Sequence, residues 1–310
     1  MRKSSVIKKI SAPVDALARE IDVFLGFSWR DWSTTIIPGS LFIIGAIRTL
    51  PDEWSMIRSY LCLIFWLTSW VYFFTLSNQI VGVEEDRINK PDRPLPSGKV
   101  TLAGAKKRWL VAFAAFASNA IFNLSLTVEV IVWILTTATL TVTPLGNHWF
   151  VKSSLAMATG TWALLRGSWK SIIPLTPETE RYVLAISFWM GLLTQIQDLR
   201  DIEGDTATGR YTLPIAAGDL ESRLIISYIF MPLSLLGLWV GGILPLAPVL
   251  LFAAHIFMGY RVLQSKNGPR YDHKTYMVHT YTFCLVLGIT AIDGQEGMKV
   301  LLCRLPSPSQ

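Results

Sequence analysis

Asp198, Asp201 and Asp205 stand at i, i+3 and i+7 in the stretch QIQDLRDIEGDTATGRYTLP. On a helix that spacing brings three carboxylates to one face. Carboxylates so close repel one another and call for cations between them. An oxygen-only ligand set of this density suits Mg²⁺ rather than zinc. They end the apolar run LAISFWMGLLTQI, where a charge near hydrocarbon is costly unless paired or functional. The plainer alternative is a solvated helix end with ordinary surface acids. A second polar interruption, SNQIVGVEEDRINKPDRPLPSGKVT, sets Asn78, Gly82 and Asp86 at i, i+4 and i+8, again one helical face. The Asn78 amide oxygen and the Asp86 carboxylate are hard-cation ligands, with Glu85 beside them. Lys90 and Arg93 follow, and arginine binds phosphate bidentately. Taken alone, this stretch also reads as a juxtamembrane loop whose basic residues only fix topology. Two acid clusters on one side of one bundle favour metal-assisted chemistry on a phosphorylated substrate.

Hydrophobic elements must carry these clusters. Over 310 residues the chain is 51% hydrophobic with a mean hydropathy of +0.42, the composition of an integral membrane protein. A span takes about 20 apolar residues. Nine segments qualify: 33–50, 56–81, 109–124, 129–142, 150–165, 182–197, 224–241, 244–263 and 276–292. The third and fourth, parted only by residues 123–127, read as a tight hairpin. Residues 1–32 form a cytosolic arm with weak amphipathic character, residues 33–294 the transmembrane catalytic domain, and residues 295–310 a short polar tail. The formal charge is +6, but the basic residues fall between apolar runs rather than in an aromatic-interleaved patch, which excludes nucleic acid. All but seven of the 28 Lys and Arg residues lie on the side of the N-terminus, the seven being Arg48, Arg58, Arg166, Lys170, Arg181, Lys299 and Arg304. This asymmetry sets the N-terminus and both acidic stretches in the cytosol. Cys62, Cys284 and Cys303 are odd in number and lack metal spacing; the first two sit in apolar runs as small hydrophobes.

Two acidic stretches after the second and sixth of nine spans, with the phrases NKPDRPLPSG and GRYTLP, resemble the UbiA superfamily of intramembrane prenyltransferases. The resemblance implies an all-α bundle of nine transmembrane helices around a central cavity. Two motifs would face each other there across Mg²⁺ ions holding an isoprenyl diphosphate. The second motif, DxxDxxxD, is complete in Asp198, Asp201 and Asp205. Lys90, Arg93, Lys152 and Arg210 match positions that the family places near the diphosphate. The first motif departs from the family pattern NDxxDxxxD, with Gln79 and Gly82 where acids are expected. The pattern NQxxGxxxD is similar to a fungal branch holding membrane-bound terpene cyclases.

The resemblance thus implies a Mg²⁺-dependent cyclase of a linear isoprenyl diphosphate, with a leaning to the fifteen-carbon farnesyl chain. The alternative is a prenyltransferase acting on an aromatic or other acceptor, with Gly82 only easing helix packing. A transporter for an anionic solute would show internal repeats or helices broken at the bilayer midplane, whereas these acids cluster at cytosolic ends. The expected partners are the diphosphate and the bilayer, with no obligate protein partner, and the expected location is the endoplasmic reticulum. Departure of diphosphate creates a carbocation and a multiply charged leaving group, so cations must meet the oxygens and a dry aromatic pocket the carbon. Most aromatics in a membrane helix face lipid or neighbouring helices, so none is singled out as catalytic.

Overall fold

In the computed structural model, backbone is described for residues 2–264 and 268–302, and side chains for residues 13–88, 90–264 and 268–292. The tail expected at residues 295–310 and Cys303 lie outside the described side chains. Among the described residues the chain is helical, and no strand forms beyond one isolated bridge between His148 and Tyr211.

The helices in chain order are α1 (Arg2–Ser28), α2 (Ile36–Phe42), α3 (Ile44–Ile47), α4 (Glu53–Val81), α5 (Val83–Asn89), α6 (Leu102–Phe122), α7 (Thr127–Val142), α8 (Ala156–Lys170), α9 (Pro177–Leu193), α10 (Ile202–Ala207), α11 (Leu213–Ala217), α12 (Asp219–Ile225), α13 (Met231–Val240), α14 (Pro248–Val262) and α15 (Pro269–Leu302). Local chemistry sets many of their ends. The Asp52 side chain accepts from the backbone N–H of Ser55 at 2.9 Å and starts α4. Thr101 does the same for α6 through Gly104 N–H at 3.1 Å. Thr176 caps α9 through Thr179 N–H at 3.1 Å, with Pro177 in the first turn, where its missing N–H costs nothing. The expected hairpin forms: Asn123 ends α6 and its side chain accepts from Ser125 N–H at 3.1 Å, reversing the chain into α7.

Among the described residues, four segments are long and apolar enough to cross a bilayer: Glu53–Val81, Leu124–Val142, Asp219–Val240 and Pro269–Ile292. Other expected spans are present as shorter or interrupted helices. The first is split into a 3₁₀ turn (Trp29–Thr34), α2 and α3. The fifth opens with a π-helical stretch, Phe150–Leu155, and the sixth passes from α9 into a 3₁₀ stretch, Thr194–Arg200. Such departures from α geometry gather at functional sites, and both of these carry residues singled out above.

Two apolar cores hold the bundle. One joins α2, α8, α9, α13, α14 and α15 around Trp189, Ile186 and Phe283. The other joins α1, α4, α6 and α7 around Trp66, Trp70, Phe116 and Trp133. Trp70 and Trp133 stack with ring centroids 4.4 Å apart, and glycines on α8 admit these rings. A Cβ at Gly167 would fall inside the Trp66 indole, and one at Gly160 would lie 2.7 Å from Trp133. At the opposite end of the bundle from the acidic motifs, Glu129 of α7 is fully buried. It accepts from Arg166 at 2.7 Å and Lys170 at 2.9 Å, both on α8, and Arg166 also pairs with Glu180 of α9.

Candidate active site

Neither acidic stretch lies on one continuous helical face, which corrects the reading from spacing. Asp198 belongs to the 3₁₀ stretch, Asp201 is a junction residue at φ −108°, and Asp205 lies in α10. The break lets each carboxylate find its own partner. Asp198 accepts from Ser153 Oγ at 2.9 Å, Asp201 from Arg200 Nε at 3.1 Å, and Asp205 from Arg210 at 2.8 Å. Likewise α4 ends at Val81, and α5 restarts after Gly82 to carry Glu85 and Asp86.

The two motifs meet all the same. The guanidinium of Arg210 donates to Asp205 at 2.8 Å and to Glu85 at 2.7 Å, a contact spanning 125 residues. Gly209, at φ +68°, makes the left-handed turn that folds Arg210 back, and Arg210 N–H bonds the Asp205 carbonyl at 2.9 Å. The π-helical stretch supplies the third wall, with Lys152 on the cavity and Ser153 on Asp198. Ser154 receives a 2.8 Å bond from Gln195. Asn78, Gly82, Glu85, Lys152 and Arg210 line one cavity of about 320 Å³ at this end of the bundle.

Asp86 and Arg93 are placed differently. Both are buried, and one guanidinium nitrogen of Arg93 lies 2.8 Å from each Asp86 oxygen, while Arg93 Nε has no partner. They pair with each other and do not line the cavity. Lys90 stands between the motifs, in the fields of Asp86, Asp201 and Glu85; burial and then the adjacent Arg93 lower its pKa.

Three residues join the site that spacing did not indicate. Arg200 holds Asp201, stacks over the Tyr276 ring at 4.4 Å and bonds His273 at 3.2 Å. A cation inside DLRD was a local signal for it. Ser153 orients Asp198, and only its place after Lys152 hinted at that. Asp31 comes from the 3₁₀ turn after α1 and faces Arg93, Lys90 and Asp86. Nothing near it in the chain announces this.

Electrostatics sharpen the picture. Burial pushes the Asp198 carboxyl up to about 7, although Ser153 opposes the shift. Burial, with Asp198 and Asp201 close by, pushes Asp205 to about 7 as well. Burial also raises Asp31, against Arg93 and Lys90. Among the described residues no three His, Cys, Asp or Glu side chains converge on one point. The donors are nevertheless oxygens only, and Asp198 accepts a single hydrogen bond while 8% exposed. An acid as little compensated as Asp198 fits a hard divalent cation, for which Asp201, Asp205, Glu85 and the Asn78 amide would be the further oxygen donors.

The profile of the UbiA prenyltransferase family matches residues 35–282. Diterpene cyclase eriG of Hericium erinaceus is 56% identical over 284 residues, 92% of each chain. Polyprenyl transferase eriF of the same fungus is 51% identical over 279 residues, 89% of this chain and 96% of its own. Among solved structures, a digeranylgeranylglyceryl phosphate synthase superposes with a TM-score of 0.65 at 21% identity, covering 89% of this chain and 99% of its own. A UbiA homolog from Archaeoglobus fulgidus bound to GPP and Mg²⁺ gives 0.63 at 11% identity, covering 87% and 99%. The chain belongs to the UbiA prenyltransferase family.

Proposed function

We propose that this protein is a membrane-bound, Mg²⁺-dependent terpene cyclase that ionises a linear isoprenyl diphosphate and closes the chain to a hydrocarbon. The observation that carries the reading is the meeting of both motifs through Arg210, which holds Glu85 and Asp205 and shares a cavity wall with Lys152, in a chain 56% identical to a diterpene cyclase. That relative's name favours the twenty-carbon diphosphate over the fifteen-carbon chain expected from the resemblance. The second reading, transfer of the prenyl group to an acceptor, is favoured by the 51% identity to eriF.

Bound Mg²⁺ would supply Lewis-acid stabilisation of the leaving oxygens. The chain's own residues do the rest. Arg210 and Lys152 meet the diphosphate on the cavity wall, and Lys90 adds positive field between the motifs. Were Glu85, Asp201 and Asp205 to hold the metal, the guanidinium groups of Arg210 and Arg200 would be free to meet phosphate oxygens. Ser153 keeps Asp198 aimed as a ligand. Asp86 and Arg93, locked together, brace the loop that carries Lys90. The reaction would face the cytosol from the endoplasmic reticulum membrane, as the distribution of Lys and Arg supports.

Purified protein given the fifteen- or the twenty-carbon diphosphate with Mg²⁺ and no acceptor should form a cyclic hydrocarbon from one of them. If neither yields hydrocarbon and an aromatic acceptor restores diphosphate release, the transferase reading replaces this one.

A further inference from the structure

Gln79 stands where the resemblance led us to expect a motif acid, and its side chain turns away from the cavity. Its amide nitrogen donates to the Phe27 carbonyl oxygen at 2.8 Å, joining α4 to the last turn of α1 across 52 residues. Both residues are 1% exposed. A carboxylate cannot donate to a carbonyl oxygen, so an acid at position 79 could not make this bond in its ionised form.

The bond is the buried centre of a wider seam. Phe24 and Phe27 meet the Tyr72 ring edge-on at 5.0 and 6.4 Å. Gly26 lies against Pro94, where a Cβ would come within 3.0 Å of the proline ring. Glu20 pairs with Arg108, Asp22 with Lys99, and Arg30 with Asp92. The end of α1 therefore clasps the loop NKPDRPLPSG, which carries Lys90 and Arg93. Past the clasp, the 3₁₀ turn sets Asp31 within electrostatic reach of Arg93, Lys90 and, on α15, Tyr276. The N-terminal arm thus reaches from the first motif's loop to the helix that supports Arg200.

We propose that Gln79 is a positioning residue that latches the N-terminal arm onto the first-motif loop beside the active site, and that the latch decides between two fates of the carbocation. The inference rests on the cyclase reading. When the C–O bond breaks, diphosphate leaves with the electron pair. With water excluded, the cation cyclises and a neighbouring C–H bond yields its electrons to a new C=C bond as the proton passes to the released diphosphate. With water admitted, a water oxygen forms the C–O bond, its proton goes to solvent, and a linear alcohol results.

The experiment compares wild type, Gln79→Ala, Gln79→Glu and Arg30→Ala on the twenty-carbon diphosphate with Mg²⁺ and no acceptor. It follows diphosphate release, the alcohol-to-hydrocarbon ratio and backbone hydrogen exchange over residues 20–34. Both Gln79 variants should raise the ratio about fivefold or more with diphosphate release kept within about threefold, as leakage of water rather than loss of chemistry predicts. Exchange over residues 20–34 should rise with the ratio. Arg30→Ala, which removes the exposed pair with Asp92 and a contact over the Trp29 ring, should shift both readouts the same way by less, and it serves if the buried variants fail to fold. Faster exchange with an unchanged ratio overturns the proposal, as does unchanged exchange. A wild-type protein that makes no hydrocarbon defeats the cyclase reading instead.

Discussion

Three carboxylates that spacing placed side by side have three different partners, and each partner gives its carboxylate a different expected sensitivity. Asp198→Asn keeps the Ser153 contact but removes a ligand charge. Diphosphate release should fall by about 10²–10³, the scale of one lost electrostatic stabiliser, with folding intact by thermal melting in detergent. Ser153→Ala should cost roughly tenfold through loss of aim alone. Protons compete with metal for Asp198 and Asp205, whose carboxyls burial lifts to about 7. Because the folded values lie above those of free aspartate, protonation is already substantial at neutrality. The Mg²⁺ concentration for half-maximal release should rise about tenfold or more from roughly pH 8 to roughly pH 6. A flat Mg²⁺ requirement over that range would remove these two residues from the metal site. The motif residues were legible because ligand chemistry leaves a spacing. Their partners were not: Ser153 reaches Asp198 across 45 residues and Arg210 reaches Glu85 across 125. Such contacts exist only once helices pack.

At the level of elements, the informative features are the interruptions. Periodicity showed where helices run, but not that α4 stops at Gly82 or that the sixth span turns 3₁₀ at Thr194. A polar i, i+4, i+8 pattern looks alike on one helix and on two that abut. Gly82→Asp tests whether the missing acid matters. Its Cβ would sit 3.1 Å from the Asn78 carbonyl oxygen, crowding the joint and adding charge beside Asn78 and Glu85. Hydrocarbon formation should stay at or below the wild-type level; a clear gain would mean that the first motif wants the acid back. Gly167→Ala drives a methyl into the Trp66 indole. It should cost about 1–3 kcal/mol by overpacking, read as a lower melting temperature.

Across the whole molecule, hydropathy predicted a multi-pass bundle, and four of the nine expected spans are plain in length and composition. The first, fifth and sixth are interrupted, and in the fifth and sixth the segments that carry the site give up regular geometry to aim side chains. The far end holds Glu129, fully buried among Arg166 and Lys170. Glu129→Gln removes the charge that these two cations share. Breaking a buried pair costs about 3–5 kcal/mol, so the melting temperature should drop while diphosphate release per folded molecule holds. The same cluster sets an order of manufacture. As the chain is threaded into the bilayer, α7 emerges with an acid whose counter-charges lie on α8, still to be synthesised, and Arg166 in turn awaits Glu180 on α9. None of the three segments is charge-complete alone. They must be handed to the lipid as one parcel, and a translocation pore releasing them singly would leave an orphan ion at the membrane edge.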